Sequence, residues 1–192
     1  MRAVHIALLI CVAANAWFGA LYFMSSARTT EGAPTDWQRA AAVGLFVLAP
    51  AVTFIPLGRW MRARLYGVEA VAGWAGLLSV LTFIEPGPSL ALGEFLALTT
   101  PLTVALGVTL TPITFLFVRR RVTRLPRALC ALIARRQAYL AALGTVAVLL
   151  LASIGVLTIY NLAMIVTILG LAEFLFLARA GVVRPSRTNI TS

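Results

Sequence analysis

Residues 90–121 read LALGEFLALTTPLTVALGVTLTPITFLFVRRR, and this stretch decides the fold. Between Leu90 and Val118 a single acid, Glu94, interrupts a run of apolar, Gly, Thr and Pro residues, and three consecutive Arg residues then close it. About 20 such residues in an α-helix cross the roughly 30 Å of bilayer hydrocarbon, so the run spans a membrane with length to spare. Five further runs of the same kind flank it, at 3–24, 40–57, 68–84, 138–160 and 162–178. The last two are expected to join almost without a loop, around Tyr160 and Asn161.

Composition agrees with these runs. Of 192 residues, 61% are hydrophobic and 11% charged, whereas about a quarter of a soluble chain is charged. A soluble core of this size could not bury so much apolar surface. The net charge of +10 comes from sixteen Arg residues and no Lys. These Arg residues sit between apolar runs rather than on one continuous face, which argues against a nucleic-acid partner. An Arg-only basic set points to a GC-rich bacterium and, with the spans, to its cytoplasmic membrane.

The positions of the Arg residues set the expected orientation, because positively charged loops near helix ends resist translocation. Arg2, the cluster at 59–66, the segment at 119–136 and the tail after 178 hold fourteen of the sixteen; Arg28 and Arg39 fall on the opposite side. Six spans satisfy this bias, and five or seven do not. The expected fold is an all-α polytopic transmembrane bundle of six helices, N-in and C-in, forming one membrane domain over 1–192. A cleaved signal ending near Ala14-Asn15-Ala16 is the competing reading of the first run, but apolar sequence continues to Met24.

Polar groups inside hydrocarbon cost a few kcal/mol unless paired, so each is a functional candidate. Thr100-Pro101-Leu102-Thr103 recurs eleven residues later as Thr111-Pro112-Ile113-Thr114. Eleven residues at about 100° each return to nearly the same helix face, placing Thr100, Thr103, Gly107, Thr111 and Thr114 on one stripe. Each Pro frees a carbonyl one turn earlier. The stripe is therefore either a polar path or a close-packing face whose hydroxyls bond to their own backbone, and it is expected to face the bundle interior.

Glu173 is the most deeply placed acid and is expected to be buried between helices, as an ion pair or as a proton or cation site. Glu69, Glu85 and Glu94 lie near helix ends and read as solvated acids. Residues 124–137 are amphipathic, with Leu125, Leu129, Leu132 and Ile133 on one face. Arg124, Arg127 and Arg135 on another are candidate contacts to anionic lipid headgroups, which would make this stretch a helix lying along the membrane surface. His5 reads as an interfacial anchor. Cys11 and Cys130 have no metal-ligand spacing, and with no second His and no acidic cluster, no cofactor or metal is expected. No nucleophile motif or phosphate-binding glycine loop is present, so no enzymatic activity is expected.

Six spans, cytoplasmic ends and the small-residue spacing Ala16 to Ala20 are similar in outline to the substrate-binding components of energy-coupling-factor importers. That likeness is one of architecture alone. Two functions follow from the residues: a noncatalytic membrane subunit or scaffold that packs against other membrane proteins, or a small-solute transporter or channel component with its path along the fourth helix.

Overall fold

A computed structural model of the chain describes residues 2–29, 36–84, 92–121 and 126–182. Of these, 93% are helical, in six helices, with no strand among the described residues. The helices are α1 (Arg2–Thr29), α2 (Asp36–Met61), α3 (Tyr66–Phe83), α4 (Leu92–Arg121), α5 (Arg127–Ser153) and α6 (Ile159–Val182). All six are long and apolar enough to cross a bilayer. The protein is a multi-pass integral membrane protein. It divides into two compact units, with the boundary inside α5 after Ala142.

In the first unit, small residues let the helices approach closely. Ala16 and Ala20 of α1 pack against Ala42, Phe46 and Ala49 of α2 and Leu78 of α3. The Ala16 to Ala20 spacing is thus used within the chain. Between α3 and α4 the contact is tighter still: a Cβ on Gly73 would stand 2.6 Å from Val104 Cγ1 and 3.0 Å from the Ala105 nitrogen. Lipid tails are as apolar as Leu, so membrane helices gain from dispersion contacts between closely packed surfaces rather than from hiding large side chains.

Gly73 against Ala105 and Gly76 against Pro101 fix an antiparallel register. This register sets Tyr66, the first residue of α3, beside Thr111, so residues 112–121 of α4 run on past the start of α3. At 1.5 Å per residue the 30 residues of α4 measure about 45 Å, longer than the hydrocarbon requires.

The surplus length of α4 corrects the expected surface helix. Residues from Arg127 onward are the opening turns of the continuous helix α5, and they run alongside the end of α4. Cys130, Ala131 and Ala134 are buried there with Phe115, Val118 and Met61, whereas Leu129 and Leu132 point outward, 46% and 62% exposed. The face that packs is the one with small side chains, not the one with leucines. Arg127 is exposed; Arg124 lies outside the described residues, as do Glu85, Arg184 and Arg187.

In the second unit the chain turns earlier than the apolar run suggests, at 154–158 rather than at Tyr160. Gly155 adopts φ +70°. The Val156 amide bonds the Leu151 carbonyl at 3.0 Å and the Gly155 amide bonds the Ala152 carbonyl at 3.1 Å, the paired closure that ends a helix at a left-handed residue. Thr158 then starts α6, its hydroxyl accepting from the Asn161 amide at 3.3 Å, as an N-cap does. Farther along, Gly144 of α5 meets Leu169 of α6, where a Cβ would come within 2.5 Å of the leucine side chain.

Candidate functional site

The polar groups of α3, α4 and the start of α5 form one connected region in the first unit. Pro112 has no amide hydrogen, which leaves the carbonyl of Val108, four residues earlier, without its helical donor. Tyr66 supplies the missing donor, its hydroxyl bonding the Val108 carbonyl at 2.8 Å. Both groups are buried; Tyr66 is 1% exposed and Val108 fully covered. A helix break that could have opened a hydrated gap is instead closed by a neighbouring helix.

The threonines of α4 turn inward on their own backbone. Thr103 donates to the Thr99 carbonyl at 2.7 Å, Thr109 to Ala105 at 2.6 Å and Thr111 to Gly107 at 2.7 Å. The Thr114 hydroxyl stands 3.0 Å from the Thr111 carbonyl and 3.0 Å from the Ala134 carbonyl of α5, so its single proton can tie the two helices. Along the stripe the burial is graded. Gly107 and Thr111 are buried, Thr103 and Thr114 half-buried and Thr100 exposed. The Tyr139 ring covers Gly107, where a Cβ would meet three ring carbons at 2.9 to 3.1 Å.

Two indoles complete the region. Trp74 donates to the Thr109 hydroxyl at 3.2 Å, and Trp17 donates to the Thr53 hydroxyl at 3.0 Å. Their rings meet edge to face, with centroids 5.0 Å apart. Each half-buried indole N–H thereby has a partner, as such groups need when withdrawn from water.

Glu69, expected as a solvated acid, forms an ion pair with Arg135 of α5. The Tyr139 hydroxyl lies 3.4 Å from the other carboxylate oxygen, and the Arg135 guanidinium stands 5.9 Å from the Tyr139 ring centroid. The pair is about a quarter to a third exposed, and Glu69 sits in the first turn of α3, where the helix dipole favours an anion. Arg135 thus meets a carboxylate of its own chain. Sequence missed the pair because 66 residues separate its members. The signal available was an acid at the start of one span and an Arg at the start of another. Glu173 is half-buried in α6, in the second unit.

The Tyr66 bond exists because of Pro112, which a double-mutant cycle can read. Tyr66→Phe is expected to cost about 1 kcal/mol in the wild-type background and nearly nothing when Pro112→Ala restores the helical donor to Val108. Reversible unfolding in mixed micelles measures both. An equal cost in the two backgrounds would show that Tyr66 does not serve the freed carbonyl.

Comparison with protein-family models, with curated proteins and with solved structures gives no match.

Proposed function

We propose that this chain is a noncatalytic integral membrane subunit that docks other membrane proteins. The observation that carries this reading is Asn15. It lies near the middle of the α1 span Ala7–Ser26 and is exposed, its side-chain amide donating only to the Cys11 carbonyl of its own helix, at 2.8 Å. An amide on the outer face of a span is costly against lipid and is satisfied by a neighbouring helix, for which it acts as glue. The inward polar groups support the same reading: the hydroxyls of Thr103, Thr109 and Thr111 are spent on backbone carbonyls. A transport path along α4 would need them free to meet a solute.

Purification from the native membrane in mild detergent, followed by quantitative mass spectrometry, tests the proposal. A second membrane protein should accompany the chain in fixed ratio, and Asn15→Leu should lower that ratio several-fold without unfolding the chain. A wild-type chain that leaves the membrane alone and carries solute into proteoliposomes would overturn the reading.

A further inference from the structure

The turn between α2 and α3 places cations at the mouth of an apolar groove. The two helices touch near Gly67, where a Cβ would lie 3.1 Å from Ile55 Cγ1. Val47, Ala51 and Ile55 of α2 and Val68, Ala72 and Ala75 of α3 wall a groove of about 930 Å³, a volume within the roughly 300 to 1,000 Å³ of small-molecule sites. Arg59, Arg62 and Arg64 line its end at the turn, and all three are exposed. Among the described residues no carboxylate pairs with them, and Glu69 is engaged by Arg135. From Arg59 to Val47 the groove follows α2 for about 18 Å at 1.5 Å per residue, close to the depth of one leaflet of hydrocarbon.

The backbone holds one of these cations in an unfavourable place. Arg62 has φ 59° and ends α2: its amide bonds the Arg59 carbonyl at 3.2 Å, and the Ala63 amide bonds the Gly58 carbonyl at 3.0 Å. That closure ordinarily takes Gly, because a Cβ is disfavoured there. The chain keeps a long cationic side chain at the mouth of the groove instead.

We propose that this groove binds one anionic phospholipid, with an acyl chain against the α2 and α3 wall and the phosphate among Arg59, Arg62 and Arg64. The charge pattern selects this occupant. A free anion would satisfy the guanidinium groups and leave the apolar wall bare. An apolar partner helix would cover the wall and leave three cations uncompensated, and a second copy of the chain would bring further Arg residues toward them. An amphiphile with a negative head meets both ends of the site. The inference stands apart from the subunit reading, since a lipid can occupy the groove whatever Asn15 docks.

Native mass spectrometry of the full chain, released from nanodiscs of equal phosphatidylglycerol and phosphatidylcholine, tests it. Wild-type protein should retain phosphatidylglycerol over phosphatidylcholine by about a hundredfold, the combined weight of three Arg residues. Arg62→Gly, which relieves the backbone, should lower that selectivity about fivefold, the weight of one Arg near an anionic surface, and should unfold at no lower temperature. Arg59→Gln with Arg64→Gln should lower it about 25-fold. Ala72→Phe keeps every charge and fills the groove, so it should strip both lipids. Equal retention of the two lipids by wild type, unchanged selectivity in the Arg variants, displacement of the lipid by inorganic phosphate alone, or a lipid-free dimer cross-linked through a Cys placed at Val68 would each overturn the proposal.

Discussion

Gly73→Ala is expected to destabilise the first unit by about 2 to 3 kcal/mol, measured by reversible unfolding in mixed micelles. The added Cβ would stand 2.6 Å from Val104 Cγ1 and 3.0 Å from the Ala105 nitrogen. Neither atom can yield cheaply. Val104 is β-branched and confined to one rotamer in a helix, and the nitrogen belongs to the backbone of α4. The helices must therefore separate, which also strains the Tyr66 to Val108 bond across the same interface. Gly44→Ala is the matched control. Nothing lies within 4 Å of a Cβ there, so stability should hold or rise by less than about 1 kcal/mol from helix propensity. Equal effects at the two glycines would mean that the α3 and α4 contact is not set by close approach.

The second large effect is expected at the Glu69 and Arg135 pair. Glu69→Leu leaves the Arg135 guanidinium without its carboxylate. Breaking a fully buried pair costs about 3 to 5 kcal/mol, and because this one is partly exposed the expected loss is about 2 kcal/mol. Exchanging the residues, Glu69→Arg with Arg135→Glu, should recover part of that loss. Tyr139→Phe should cost less than about 1 kcal/mol, since its hydroxyl is a longer contact at 3.4 Å and the ring remains beneath the guanidinium. A Glu69→Leu protein as stable as wild type would reduce the pair to an interfacial coincidence.

The sequence carried the number of spans because runs of about 20 apolar residues leave no alternative to a membrane helix. It carried the repeat in α4 as well, and the helical period groups Gly107 with Thr111, both buried, but also with Thr100, which is exposed. Other features were hidden for physical reasons. Leu129 and Leu132 resemble a packing face by the logic of water, where large apolar residues hide. In a membrane the small face of Cys130, Ala131 and Ala134 packs, because close approach gains more than burial. The turn at Gly155 lies inside a continuous apolar run, and its signals are one glycine and one capping threonine, Thr158, not a change in hydropathy. The pairing of Glu69 with Arg135, and of Tyr66 with the carbonyl freed by Pro112, depends on the register of α3, α4 and α5, which no local pattern encodes.

Whether α4 is sealed or wetted separates a packing helix from a pathway, and thiol accessibility at Thr111 reads it directly. Thr111 is 1% exposed and its hydroxyl is bonded to the Gly107 carbonyl. In a background with Cys11→Ser and Cys130→Ala, Thr111→Cys should resist a charged, water-borne thiol reagent applied from either face of the membrane. Arg121→Cys, exposed at the end of α4, should react to completion over the same time from one face. Modification of position 111 at a rate comparable to position 121 would contradict the sealed interior and place water, and with it a solute path, along the threonine stripe.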